Sequence, residues 1–386
     1  MSKRLSDRGL LARLVAFDSV SSRPNRPIAD FLCAYLEDAG VRVERDEHDG
    51  GAKVNVRAAV GPDPGPTRDG LLLCGHLDVV PADEPEWDGD PFTLRAAGDR
   101  LYGRGTTDMK GFVALAVNRL CAAADTHAAP LVLLLTCDEE VGGIGAQRLS
   151  ARWGPERWPR ATVIGEPTQL RVVRMHKGHL KLRVTVEGRA AHSGSPQLGI
   201  NAIARATPVL SALDALRATL AGERAPASVF FPEVPAPVLN IGRIEGGSAV
   251  NVVPDRCVID VGVRLLPGAS VPAFLERFEA SVGDDARVEV VNDNPPMESA
   301  AGTPLDTCAR SLVDQTESIG VSFASDGGVL QRDLGCVCIL FGPGDMAVAH
   351  RPNEYLETAE LTRGAALLEQ LVAHAGVEDA MTEQPR

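Results

Sequence analysis

The sequence predicts an α/β protein, a sheet covered by helices on both faces, interrupted by a smaller α+β domain. Three observations carry this reading. Short, fully apolar strand-like runs alternate with helical spacing over the first half of the chain, the mark of a sheet buried on both sides. Near residue 178 the pattern switches to a period of two, that of a half-exposed strand. After residue 304 the first style returns.

Taken in order, Leu10, Leu11, Leu14 and Val15 carry helical spacing. Ile28, Phe31, Leu32, Tyr35 and Leu36 do so again, ending near Gly40. Short β-type runs follow at 41–43, 54–60 and 71–74. Residues 110–124 read as a helix, 131–137 as a buried strand, 146–153 as a helix and 161–164 as a strand. Then Leu180, Leu182, Val184 and Val186 alternate with polar residues over 179–187. A helix over 201–220, strands over 238–244 and 257–266, a helix over 271–282 and a strand over 288–291 complete a β-α-β-β-α-β order. That order fits a small α+β, ferredoxin-like sandwich. Gly178 and the run Asn292-Asp293-Asn294-Pro295-Pro296 flank it as hinge segments. A helix over 304–316, a strand over 337–341 and a helix over 358–375 return to the first domain. The expected organisation is one discontinuous domain, 1–177 with 296–386, and an inserted domain, 178–295. The polar tail from 376 is expected to fray.

Composition narrows the function. The 386 residues hold 39 Lys and Arg against 52 Asp and Glu, a formal charge of −13. Such a chain lacks the basic face that nucleic-acid binding needs. Its longest apolar run, 129–137, contains Pro130 and is about half of a membrane span. The first residues carry scattered charges and no uninterrupted apolar core, so no signal peptide is expected. Eight cysteines lie scattered, mostly in apolar runs, and read as buried reduced thiols of a cytoplasmic protein. Cys336 and Cys338 share a strand face, but a single Cys-x-Cys without a second pair is a weak metal signal.

Five places concentrate titratable side chains at the ends of strand-like runs. The run 71–74 leads to His76 and Asp78, whose spacing of two puts both on one face. A glycine-rich turn delivers Asp108 just before a helix, where it also suits a helix cap. Asp138, Glu139 and Glu140 follow the strand 131–137, a costly grouping at a sheet edge unless a cation or solvent meets it. Adjacent residues point different ways, so one glutamate can bind metal while its neighbour acts as base. The strand 161–164 ends at Glu166, and the strand 337–341 leads through Gly342-Pro343-Gly344 to His350. Each is unremarkable alone. Together they supply the ligand set of a two-metal hydrolytic site with a spare glutamate.

The motifs GHLDVVP (75–81), WDGDPF (87–92), GRGTTDMKG (103–111), TCDEEVGG (136–143) and IGEPT (164–168) form one pattern. So do HKG (176–178), GRAAHSGSPQLGINAI (188–203) and GPGDMAVAHRPNEYLE (342–357). With these motifs the chain, over roughly 8–375, resembles the zinc-dependent amidohydrolase and metallopeptidase family of acetylornithine deacetylase and succinyl-diaminopimelate desuccinylase. The HKG after IGEPT and the final GPG…AHRPNEYLE resemble the acetylornithine deacetylase branch most. The resemblance implies a mixed-sheet α/β/α zinc-peptidase-like catalytic domain with an inserted dimerisation domain. It implies two Zn²⁺ per subunit, with Co²⁺ or Mn²⁺ as substitutes. His76 and Glu166 are then terminal ligands of one ion, Glu140 and His350 of the other, and Asp108 bridges them. Glu139 is the general base and acid, and Asp78 orients His76. The resemblance further implies a cis peptide after Asp108, a homodimer, and a His192 that reaches the partner's active site to stabilise the oxyanion.

Asn251 matches a family substrate contact, though an Asn in a turn between strands has the same look. Arg264 matches an arginine that holds the substrate carboxylate in a planar fork, although a surface ion pair is the plainer reading. Lys177 is read only as lining the cleft. The run Ser325-Asp326-Gly327-Gly328 departs from the Thr-Glu pair of acetylornithine deacetylases. The implied reaction removes an N-acyl group from an α-amino acid, foremost N2-acetyl-L-ornithine to L-ornithine and acetate, a step of arginine biosynthesis. The alternatives are another N-acyl-amino-acid deacylase, such as one acting on acetylcitrulline or a desuccinylase, a dinuclear aminopeptidase or dipeptidase, and a noncatalytic metal-binding or dimeric scaffold.

Overall fold

Residues 4–124 and 128–375 are described by the computed structural model. The chain divides into two units, Met1–Arg174 with Ser299–Ile319 and Ser325–Arg386, and Met175–Glu298 with Gly320–Ala324.

The first unit is built on a mixed sheet. Leu71–His76 runs parallel to Leu131–Thr136 on one side and to Ala161–Ile164 on the other, and Val337–Leu340 adds parallel to Ala161–Ile164. Lys53–Val60 joins antiparallel beyond Leu131–Thr136, and Arg42–His48 pairs antiparallel with it. The four parallel strands are short and almost wholly buried, which explains their unbroken apolar runs. One face packs on the helices Asp7–Val15, Arg26–Glu37, Gly111–Ala123 and Thr358–Ala375 through Leu71, Leu73, Leu133, Val163 and Ile339. The alternate residues Leu72, Leu134 and Leu340 are buried on the other face, the side of the helices Ile144–Arg152 and Asp326–Leu334. A register that places His76 opposite Thr136 and Cys74 opposite Ile164 brings the carboxyl ends of these strands level.

In the second unit His179–Glu187, Val238–Gly246, Arg256–Arg264 and Ala286–Asn294 form an antiparallel sheet. The spatial order places Val238–Gly246 beside Arg256–Arg264, then His179–Glu187, then Ala286–Asn294. With the helices Ala202–Gly222 and Val271–Val282 this is the ferredoxin-like arrangement. Leu180, Leu182, Val184 and Val186 pack under the helices beside Ile259, Val261 and Phe278. On the other face Arg183 Nε donates to Asp260 Oδ1 at 2.7 Å.

Several boundaries differ from the sequence reading. The strand expected at 41–43 runs Arg42–His48, because its own residues from Glu44 to His48 are all polar and carry no apolar signal; the ladder to Lys53–Val60 holds them extended. The helix expected over 304–316 ends at Leu312, and Asp314 takes φ +54°. Part of the expected hinge is ladder, since Asn292, Asp293 and Asn294 pair with Lys181, Leu180 and His179. The tail from 376 lies outside the described residues. All eight cysteines are free, and only Cys308 is more than marginally exposed. No described helix is long and apolar enough to cross a membrane.

Candidate metal centre

Four parallel strands end on one edge; His76 closes one of them, and the loops leaving the others carry Glu139 and Glu140, Glu166 and His350. In open α/β sheets that edge is where ligands bind. The loop of Glu166 packs closely on the helix Gly111–Ala123 and requires glycine at Gly165, where a Cβ would lie 1.9 Å from Phe112 Cδ1. Asp108 arrives from a turn whose Gly105 has φ +81°, and the Asp108–Met109 peptide is cis.

His76 is 2% exposed, and its Nδ1 donates to the carbonyl of Asp78 at 2.9 Å. A carbonyl can only accept, so Nδ1 carries the hydrogen and Nε2 is left as the nitrogen that could bind a metal. That Nε2 lies 3.0 Å from Asp108 Oδ1. Asp108 Oδ2 lies 3.1 Å from His350 Nε2, which is itself 3.2 Å from Glu140 Oε1. Asp108 thus stands between two imidazoles, one carboxylate oxygen to each. Ligand atoms of His76, Asp108 and Glu140 all lie within 4.8 Å of one another.

The electrostatics ask for a cation. Burial and the charge of Glu166 raise Glu139 well above the usual carboxylate range. Burial and Asp108 raise Glu140 to about 7 and lift Glu166 well above its ordinary value. Burial opposes ionisation of Asp108 too, but hydrogen bonds to His350 and His76 win and lower it. Hydrogen bonds to Asp108 and Glu140 hold His350 up at about 10. Burial disfavours a charged His76, yet its bond to Asp108 and the surrounding carboxylates raise it well above normal. A carboxylate oxygen facing an imidazole Nε2 needs a positive charge between them, either a proton or a metal ion. Imidazole and carboxylate donors suit zinc, cobalt or manganese, so the residues present fit the implied ions.

The family pattern implies that the Asp78 carboxylate orients His76. Here it sits 3.8 Å from Nδ1, and the backbone carbonyl of the same residue does that work. The carboxylate instead accepts the backbone N–H groups of Glu139 at 3.1 Å and Glu140 at 3.2 Å. It therefore sets the turn on which the two glutamates stand. Ser21 Oγ donates to its Oδ2 at 2.7 Å, and Lys53 Nζ reaches both the Ser21 carbonyl and Asp138. No motif signalled Ser21 or Lys53; they are far from the turn in sequence. Asp326, the first residue of the helix that Ser325 caps, accepts from Thr136 Oγ1 at 2.6 Å, and burial raises it to about 6.

The remaining candidates belong to the second unit. His192 lies on the short strand Ala191–His192, opposite Val252, and its Nδ1 accepts from the N–H of Gly194 at 3.0 Å. Asn251 adjoins it, its carbonyl accepting from the N–H of Ser193. Arg264 ends the strand Arg256–Arg264, opposite Val238. Lys177 does structural work: its Nζ donates to the carbonyls of Val234 at 2.6 Å and Ala236 at 2.8 Å.

An α/β sheet that gathers imidazole and carboxylate at its strand ends is the architecture of a metal-dependent hydrolase. The chain belongs to Peptidase family M20/M25/M40, whose sequence pattern matches residues 72–374. It is 37% identical over 382 residues to an acetylornithine deacetylase of Myxococcus xanthus, covering 95% of this chain and 97% of that one. An acetylornithine deacetylase of Pectobacterium atrosepticum is 34% identical over 379 residues, covering 95% and 96%. Among solved structures, an M20 family metallo-carboxypeptidase of Sulfolobus solfataricus superposes with a TM-score of 0.79 at 17% identity, covering 97% of this chain and all of that one.

Proposed function

We propose that this protein is a dinuclear metal hydrolase that removes the acyl group from an N-acyl-α-amino acid, foremost N2-acetyl-L-ornithine. The observation that carries the reading is the position of Asp108, one oxygen toward His76 and the other toward His350. The names of the relatives at 33–37% identity support the substrate. His76 and Glu166 would hold one ion, Glu140 and His350 the other, with Asp108 shared. When bound, such ions polarise a carbonyl and make a water acidic near neutral pH.

The protein's own groups do the rest. Glu139, half-buried among carboxylates, takes a proton from the attacking water and delivers it to the leaving amine. Asp78 keeps Glu139 and Glu140 in fixed relation through their backbone N–H groups. His192 donates to the developing oxyanion, where a fixed donor has its largest effect. Arg264 holds the substrate carboxylate in its fork, and Asn251 contacts the substrate. We place the enzyme in the cytoplasm, in arginine biosynthesis, as a homodimer joined through the second unit and using zinc.

Turnover of N-acetylornithine, N-acetylcitrulline, N-acetylmethionine, N-succinyl-diaminopimelate and a dipeptide should be compared. N-acetylornithine is expected to lead. Cleavage of the dipeptide alone would move the protein to the peptidase reading, and no turnover of any acylated amino acid would end the proposal. Glu139→Ala should keep its metal content while kcat falls by about 10²-fold or more.

A further inference from the structure

The turn that presents Asp108 is held by a second buried carboxylate, that of Glu354, which is 1% exposed. Its Oε2 accepts from Arg104 Nη1 at 2.8 Å and from the N–H of Gly105 at 3.1 Å. Its Oε1 accepts from the N–H of Thr107 at 2.9 Å and of Asp108 itself at 3.2 Å. Four donors on two oxygens fill the carboxylate's hydrogen-bonding capacity. Arg104, also 1% exposed, donates through Nη2 to the Pro81 carbonyl at 2.9 Å and lies over the Trp87 ring at 5.1 Å.

Glu354 follows His350 by four residues and opens the strand Tyr355–Glu357, which pairs antiparallel with Arg100–Tyr102. The backbone N–H of Gly103 closes on the Glu354 carbonyl at 3.0 Å. One side chain thereby ties the loop of His350 to the loop of Asp108. A buried negative charge beside another carboxylate is expensive, and a neutral acceptor would serve a merely structural turn. Only a carboxylate can accept from the guanidinium and from three backbone N–H groups at once.

We infer that Glu354, clamped by Arg104, is a positioning residue that sets Asp108 between His76 and His350 and so tunes metal affinity. The inference rests on the reading of Asp108 as the shared ligand.

Its test is a Co²⁺ titration of metal-stripped protein, followed by visible absorption, with circular dichroism to check folding. Glu354→Gln should bind Co²⁺ about tenfold or more weaker than wild type, with an altered absorption band. On the loaded enzyme kcat should fall while KM changes less than about threefold. Arg104→Lys, which leaves the three backbone contacts, should weaken binding less. A Glu354→Gln protein that melts earlier but binds Co²⁺ with wild-type affinity and spectrum overturns the inference. If Glu354→Gln does not fold, Arg104→Lys decides, and wild-type binding by it overturns the inference equally. The titration needs no substrate. A wild type that binds Co²⁺ but cleaves no acylated amino acid would refute the proposed reaction and leave this result intact. A wild type that binds no Co²⁺ would refute both.

Discussion

At the scale of single residues, burial sets charge states that model peptides would not show. His176 is fully buried at the end of the strand Val173–His176; its Nδ1 meets the Lys177 carbonyl at 3.0 Å, and its Nε2 has no hydrogen-bond partner among the described residues. Burial, with the nearby charge of Arg264, pushes its pKa down to about 4. An unfolded chain holds a histidine near 6.5. Between those values the unfolded state binds a proton that the folded state refuses. The stability is therefore fully present above pH 6.5 and is lost as pH falls toward 4. For His176→Gln, the difference from wild type in urea unfolding free energy should change by up to about 1.4 kcal/mol per pH unit across that window. Parallel curves would show that His176 titrates normally in the fold.

Among elements, the helix Val271–Val282 shows how the second unit is held. Ser270 caps it, accepting from the N–H of Ala273, and Phe278 is fully buried against the sheet. Phe278→Ala should lower the unfolding free energy of this unit by about 3–5 kcal/mol, measured by denaturant titration, since the cavity lies under a sheet that cannot collapse into it. The same packing made this helix and the strands around it legible in sequence: apolar residues that face a core repeat with the period of their element. What stayed illegible lacked that period. Arg95–Ala97, Arg100–Tyr102 and Tyr355–Glu357 are three residues each, too short to show one. The helix Asp326–Leu334 has two glycines, poor helix formers, in its first turn and rests on a serine cap and its buried face. Of the site, strand-end carboxylates and histidines were readable because charge at the end of an apolar run is costly. The tasks of the Asp78 carboxylate, Lys53 and Glu354 were not, because the backbone groups they hold lie far away in sequence and only the fold brings them close.

For the whole molecule, the proposed dimer makes a sharp demand. If His192 serves the active site of a second copy, Glu139→Ala and His192→Ala proteins are each nearly inactive alone. Mixed and allowed to exchange subunits, they should form heterodimers in which one site of two is whole. Random pairing then restores about a quarter of wild-type activity. Activity that stays at the level of the separate variants after verified exchange would place His192 in its own subunit's site or outside the reaction.

The central sheet has one consequence for how the protein is made. Val337–Leu340 lies in register beside Ala161–Ile164, with the entire second unit between them in the chain. A ribosome releases Asp108, Glu139, Glu140 and Glu166 long before His350. The nascent polypeptide therefore holds acidic loops without their last imidazole, and without the strand that brings it. Long-range pairing of this kind is slow and closes late. On the proposed ligand set, a truncated product carries most of the metal-binding side chains but no completed centre.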